Sequence, residues 1–310
     1  MFPLGSLSKP TGGGSVSWEL PRSGLLGAIH ITIRGQITGT LSNQNPLGMA
    51  SIIRRVRLSL NNGYDVINIS GAGYVYLLSD MLNDYRNVLN ANNGRAAVSA
   101  TNFNLDMLLP VAFNIRDAIG LIPLQNVQTL ATLIIDWEAD ATVASGATVT
   151  GSATPTLWIF ELPADPKDYP PLNVLHLTIE DSQAAASAGE QTYAWPLGNV
   201  YTGVYHLITG TTWTRAVLRA QQSVTWYDFT PTTHSLWFET LVGRGVSLTG
   251  ALTGDDRRIF FDLAGSDGLG TFGTERDSVN SANYTDLSSL ITTAGAGTIR
   301  TVRRSLAYLR

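Results

Sequence analysis

Alternating apolar and polar residues run through most of the chain and predict β-strands. In the segment 25–37, Ile29, Ile31 and Ile33 alternate with polar positions, as expected of a strand that buries one face. Asn and Gly at positions 61–63 predict a tight hairpin turn, because both residue types accept positive φ. Similar patterns predict further strands at 52–60, 64–69, 130–137, 156–162, 174–179, 192–195, 201–209, 216–229, 258–264, 284–291 and 298–309.

One segment has a helical period instead. Between residues 74 and 89 the apolar side chains recur at intervals of three and four, which predicts an amphipathic helix. Ser70 or Gly71 can begin this helix, and Asn93-Gly94 lies just past its end. We expect the helix to pack on the flank of a sandwich. The segment 139–154, made of small and polar residues, predicts an exposed loop or hairpin tip.

Prolines divide the chain into two similar halves. Four of the nine residues 163–171 are proline, which fixes φ and removes backbone donors. After this cluster the order of strands restarts, and two units of about eight short strands are typical of tandem β-sandwiches. The predicted division is an N-terminal arm at 1–17, a first domain at 18–163, a proline-rich linker at 164–171 and a second domain at 172–310. The arm shows no strand period, and we expect it to be disordered or to order on a neighbour.

Composition narrows the functional classes. Only 14% of residues are charged, whereas soluble domains usually contain about 25%, and this suits flanks that neighbours cover. The absence of cysteine excludes disulfides, thiolate metal sites and cysteine nucleophiles. A net charge of −4 argues against a general nucleic-acid binder. No apolar run reaches the roughly 18 residues of a membrane helix, and we expect no secretory signal.

The sequence offers no motif for catalysis. Phosphate-loop, zincin and serine-elbow patterns are absent from it. Asp136 and Glu138 share one face of a predicted strand, so we expect solvated or ion-paired carboxylates; the alternative is a sandwich-type glycoside hydrolase. We therefore predict no enzyme, and no catalytic, cofactor-binding or metal-binding residue. Each histidine is predicted to be a strand residue that faces solvent or an interface: His30, His176, His206 and His234.

A motif in the first half resembles a known family. Leu109-Pro110-x-x-Phe113 is followed by a short loop, by Gly120-Leu121-x-Pro123-Leu124 and then, after about ten residues, by a strand. This order resembles the major capsid proteins of the double jelly-roll viral lineage. Phe260-Phe261-Asp262-Leu263 is similar to a strand of that family's second domain, and the segment 276–280 is similar to a loop there, although the family's Ser-Arg-Ile-Asp form is not matched.

The resemblance implies an all-β chain of two tandem jelly-roll β-sandwich domains, with the helix flanking the first. It implies a viral major capsid protein that assembles as pseudo-hexameric trimers into an icosahedral shell, without cofactors and without specific nucleic acid. Its partners would be neighbouring capsomers, penton and minor capsid proteins, and its location the virion, after assembly in the host cytoplasm. An internal membrane is a further implied partner, through the basic residues Arg300, Arg303, Arg304 and Arg310. The simpler interpretation of these arginines is an edge strand protected by charge.

A second function stays open at this point. A β-sandwich with exposed tryptophans can stack sugars, as in a lectin-like module or a phage spike or receptor-binding protein. The candidate stacking residues are Trp213, Trp226 and Trp237.

Overall fold

Strands dominate the structure, as the alternating pattern predicts. The structure is a computed structural model and describes residues 1–61, 63–82, 98–115, 118–125, 130–161, 174–221, 224–242, 257–263 and 278–308. The chain divides into two compact units, Met1–Ile179 and Glu180–Tyr308. The predicted linker at 164–171 lies outside the described residues.

Two sheets form the first unit. The first sheet has the order β1-β10-β4-β7, with β2 also paired to β10 and β8 paired to β4; the second has the order β6-β5-β9-β3. The start of β11 pairs in parallel with β6 through Thr178 and Ile179. The strands are β1 (Phe2–Pro3), β2 (Leu7–Ser8), β3 (Gly14–Glu19), β4 (Leu25–Thr38), β5 (Ile53–Leu60), β6 (Tyr64–Ile69), β7 (Asn102–Pro110), β8 (Ile122–Pro123), β9 (Ala131–Trp137), β10 (Thr148–Phe160) and β11 (Val174–Ala185).

The division between the units falls inside β11. The sequence places the start of the second domain at 172, whereas residues 174–179 belong to the first unit. Their pairing with β6 gives the reason, because backbone hydrogen bonds to Ile67 and Asn68 hold this part of the strand. Sequence patterning detects the strand but not its partner.

The motif that resembles the capsid family folds as predicted. β7 is followed by a tight turn closed by the bridge between Asn114 and Ile119, then by the short β8 and the long β9. Pro123 ends β8, which pairs with β4 at Leu25 and Leu26. The order of strand, turn, short strand and long strand is confirmed.

The first residues of the chain are strands, so the prediction that 1–17 lacks them is wrong. β1 and β2 pair with β10 in one sheet, and β3 pairs with β9 in the other. The Trp18 indole N–H donates to the Gly5 carbonyl oxygen at 2.7 Å and links the two sheet edges. β1 and β2 have two residues each, too few to show a period in the sequence.

Of the predicted loop 139–154, residues 139–147 do connect two strands, but residues 148–154 are strand. β10 begins at Thr148 and pairs with β4 along its whole length. A Cβ on Gly35 would lie 2.1 Å from the Thr150 carbonyl oxygen and 2.6 Å from the Phe103 ring. The Phe103 ring therefore leaves no room for a side chain at Gly35 and little at Gly151, the residue opposite it on β10. A strand segment made of such small residues resembles a loop in composition.

The predicted helix is present but enclosed. It runs as α1 (Gly71–Gly73), a π-helical turn (Tyr74–Leu78) and α2 (Ser79–Met81), and the Ser70 hydroxyl caps its start by accepting from the Gly73 N–H at 3.0 Å. The helix lies beside the edge strand β7, as a flanking helix should, since the Leu108 N–H donates to the Tyr74 hydroxyl oxygen. The predicted one-sided apolar pattern is wrong for these residues, because all side chains from Tyr74 to Ser79 are buried. Ser79 looks polar in the sequence, but its hydroxyl donates to the Val75 carbonyl oxygen at 2.6 Å. Residues 83–89 lie outside the described part of the chain.

Two sheets also form the second unit. One contains β16, β13 and β19 with β11 beside β19, and the other has the order β12-β18-β14-β15. Buried side chains of both sheets meet in one core, which includes Val204, Ile299, Leu218 and Ile291. The remaining elements are β12 (Gly189–Ala194), β13 (Val200–Thr209), β14 (Trp213–Ala220), β15 (Val224–Phe229), α3 (Pro231–Val242), β16 (Arg258–Asp262), β17 (Val279–Asn280), β18 (Leu287–Thr293) and β19 (Gly297–Tyr308).

Candidate functional site

Asp136 and Glu138, the two carboxylates considered for catalysis, have different surroundings. Asp136 is buried, accepts a hydrogen bond from the Ser15 hydroxyl and lies 3.0 Å from the Arg57 guanidinium. Glu138 follows the end of β9 and is only half-buried. The expected ion pairing is thus found for Asp136, and the geometry gives no support to a glycoside hydrolase.

Three of the four histidines, His176, His206 and His234, are buried rather than turned to solvent or an interface as predicted. His30 is half-buried and lies 3.7 Å from the Asp106 carboxylate. Polar residues can turn inward when the fold supplies hydrogen-bond partners, and His234 in addition lies on the helix α3 rather than on the predicted strand.

His206 sits in a buried polar chain in the second unit. The Trp195 indole N–H donates to the Ser289 hydroxyl oxygen at 2.8 Å, and that oxygen lies 3.1 Å from His206 Nε2. His206 Nδ1 lies 2.8 Å from the Thr301 hydroxyl oxygen. Since the indole can only donate, the Ser289 hydroxyl keeps its own proton, and it either donates that proton to Nε2 or accepts a second hydrogen bond from it, according to the tautomer of the neutral ring. Burial lowers the pKa of His206 to about 3.

His234 lies among aromatic rings. Its ring stacks on Phe260 at a centroid distance of 6.0 Å and meets the edges of Trp213 and Phe229. Its Nε2 accepts from the Phe260 backbone N–H at 2.9 Å. Burial, with a smaller effect of the Arg258 charge, lowers the pKa of His234 to about 3.

Burial keeps Ser289 and His206 out of reach of any substrate. Ser289 and His206 have the contact of a nucleophile and its base, but both are completely buried, so no substrate atom can reach the hydroxyl. Across the described residues, no group of three His, Asp or Glu side chains is placed to hold a metal ion. The same residues include no helix long and apolar enough to cross a membrane.

The arginines near the C-terminus are held within the second unit. β19 lies between β13 and β11, so the prediction of an edge strand is wrong. Arg300 lies 3.4 Å from Glu180, Arg303 pairs with Asp181, and Arg304 is buried. These three side chains therefore form no open basic patch for a lipid surface. Arg310 lies outside the described residues.

The tryptophans proposed to stack sugars belong to the core of the second unit. Trp213 is buried with 2% of its surface exposed. Trp226 packs against Tyr284 at 5.3 Å, and Trp237 packs against Phe229 at 5.2 Å, measured between ring centroids. None of the three is an exposed platform, so the carbohydrate-binding alternative loses the residues that suggested it.

One surface feature was missed by the sequence argument. Phe2 and Leu7 belong to the edge strands β1 and β2, yet 47% and 36% of their surfaces are exposed. No charged side chain occurs in residues 1–8, which we call the N-terminal edge. The signal was present as an apolar run without charge, but a short segment that shows no strand period looks like an arm.

Comparison with known proteins gives a clear result for the fold. No protein-family model and no curated protein sequence matches the chain. Among solved structures, the major capsid protein of Sulfolobus turreted icosahedral virus matches with a TM-score of 0.74 at 12% identity, over 99% of this chain and 96% of that one. The chain has the double jelly-roll fold.

Two further double jelly rolls match along nearly the whole chain. The PBCV-1 virus capsid matches with a TM-score of 0.62 at 10% identity, over 98% of this chain and 92% of that one. The major capsid protein P2 of bacteriophage PM2 matches with a TM-score of 0.55 at 13% identity, over 99% and 98% of the two chains. The predicted fold class, all-β with two tandem jelly-roll sandwiches, is confirmed. At these identities the similarity is one of fold.

Proposed function

We propose that this chain is a viral major capsid protein whose work is assembly rather than catalysis. The observation that carries the proposal is the match of both jelly rolls, over 99% of the chain, to a major capsid protein of nearly the same extent. A single jelly roll is compatible with many functions. Two jelly rolls in one chain, matched over this length, are compatible with fewer functions and favour a capsid protein.

The internal chemistry supports the same conclusion. Asp136, His206 and His234 are buried and hydrogen-bonded within their own units. The low charge content of 14% suits flanks that are covered by neighbouring subunits.

Two similar units in one chain also suggest the assembly unit. Each subunit contributes two lobes, so three subunits supply six lobes around a three-fold axis and form a pseudo-hexameric capsomer. Such capsomers tile an icosahedral shell, with penton and minor capsid proteins at positions they cannot fill. The protein would then be found in the virion, after assembly in the host cytoplasm.

Sedimentation and negative-stain microscopy of the purified protein test this proposal. We expect a species of three times the chain mass and particles with a hexagonal outline. A protein that stays monomeric at all concentrations and gives no such particles would contradict the proposal.

A further inference from the structure

We propose that the N-terminal edge, residues 1–8, is a subunit interface that is covered by a second copy of this chain. This inference rests on the proposed function, because it names the surface through which the subunits associate. Three independent features of this edge support the inference. They are the direction of its side chains, the backbone groups that have no strand partner and the absence of charged side chains.

The side chains of the N-terminal edge point toward the core side of their sheet. In antiparallel pairs, directly opposite residues share a face. Phe2 is opposite Leu157 and Leu7 is opposite Ala153, and both partners on β10 are completely buried. Phe2 and Leu7 therefore continue the core to the rim of the sandwich, where this chain leaves them half uncovered.

The backbone of the N-terminal edge is paired on one side. Within the described residues, β1 and β2 pair with β10 alone, so their outer backbone groups, which include no N–H at Pro3, have no strand partner. The opposite end of the same sheet is different, since the Leu108 N–H of β7 donates to the Tyr74 hydroxyl oxygen at 2.7 Å. Natural sheets guard open edges with charged side chains, and exposed apolar edges pair with other chains.

Charge favours a second copy as the occupant. The next charged residue along the chain, Lys9, is neutralised by Asp140 at 2.5 Å, and its side chain is almost fully buried. Two copies of a chain with net charge −4 repel each other on average, but the side chains of residues 1–8 add no like charge to this repulsion. These side chains offer no complementary charge to a basic or acidic partner, whereas an equally uncharged surface would bury Phe2 and Leu7 favourably.

The decisive experiment compares charged and apolar substitutions at the same two positions. The double variant Phe2→Asp/Leu7→Asp should remain folded, because both side chains are partly exposed, and its melting curve checks this. We expect its subunit dissociation constant, measured by sedimentation equilibrium, to rise by about tenfold or more for each substituted residue. The matched variant Phe2→Leu/Leu7→Met keeps the apolar surface and should associate like the unchanged protein.

A second control tests whether any added charge has the same effect. Asn104 is exposed on β7, at the other end of the same sheet, opposite Arg34. Asn104→Asp should leave association unchanged. An equal loss in this variant, or normal association of the double Asp variant, would overturn the inference while leaving the proposed function intact. If no form associates, the proposed function fails and the inference fails with it.

Hydrogen exchange on the unchanged protein gives an independent measurement. Backbone amides of residues 1–8 should exchange more slowly in a concentrated, associated sample than in a dilute one. Equal exchange in two samples whose association differs would overturn the inference even if the double variant did not fold.

Discussion

At the scale of single residues, two glycines explain why part of strand β10 has the composition of a loop. Gly35 and Gly151 face each other across β4 and β10, beneath the ring of Phe103. No side chain fits there, since the space belongs to the ring and to the Thr150 carbonyl oxygen. Close packing in the sheet thus explains why glycine occupies positions 35 and 151.

Gly35→Ala should therefore destabilise the first unit. The added methyl would overlap the Thr150 carbonyl oxygen, and relief of such a clash by backbone shifts costs about 1–3 kcal/mol. Gly63→Ala is the control, because nothing lies within 4 Å of its Cβ position, and its free energy of unfolding should stay within about 0.5 kcal/mol. Urea unfolding measures both, and equal stability of the two variants would contradict the packing argument.

Single residues also show what the sequence can reveal. The alternation of Ile29, Ile31 and Ile33 is sufficient to find β4, because burial of one face leaves a direct period in the sequence. His206 and Ser79 leave no such signal, since their burial depends on partners that the fold supplies, Thr301 and Val75. Polarity alone placed such residues at the surface, and this is why the predictions for His176, His206 and His234 were wrong.

At the scale of elements, the helix of the first unit seals the edge of a sheet. The Tyr74 hydroxyl accepts the hydrogen bond of the Leu108 N–H, a backbone group that no strand partner satisfies. The helix begins at Ser70, as the sequence predicts, but its role at β7 depends on a contact between residues that are 34 positions apart. Most strands and the first helix could be predicted from local patterns, whereas such long-range partners could not.

Tyr74→Phe tests this contact. Removal of the hydroxyl leaves the Leu108 N–H without its acceptor, and an unsatisfied buried donor costs about 1–3 kcal/mol. Tyr64→Phe removes an equivalent hydroxyl from an exposed side chain and should change stability little. Chemical denaturation of both variants gives the difference, and a stability loss as large for Tyr64→Phe would argue against the specific role of Tyr74.

At the scale of the whole molecule, the sequence predicted the two jelly rolls correctly but misplaced the boundary between the two units. The Leu109 to Leu124 motif led to the correct fold, and the strands on either side of it were found by period. The start of the second unit was misplaced because β11 continues through the division, with Thr178 and Ile179 paired to β6. A proline cluster indicates where a chain bends, but backbone pairing decides to which unit a strand belongs.

The two neutral histidines of the second unit predict acid sensitivity. His206 and His234 have folded-state pKa values of about 3, whereas the ordinary value is 6.5. Below pH 6.5 the histidines of the unfolded chain bind protons that those of the folded unit do not. The contribution of the two neutral histidines to the free energy of unfolding is therefore fully present above this pH and falls as the pH drops toward 3. The expected loss is roughly 1 kcal/mol per pH unit for each histidine over this range.

Urea unfolding of the second unit between pH 7 and pH 4 measures this slope. His206→Gln should lower stability at pH 7 but flatten the pH dependence, because one titrating group is removed. His30→Gln, at a half-buried site in the first unit, is the control and should leave the slope of the second unit unchanged. Identical slopes for all three proteins would exclude His206 as a source of acid sensitivity.

The position of β1 at an open sheet edge has a practical consequence for the production of this protein. An affinity tag fused ahead of Met1 would place extra polypeptide beside Phe2. Such a tag would compete with a neighbouring subunit for the same strand, so tagged preparations would underestimate the tendency of the protein to form particles until the tag is cleaved.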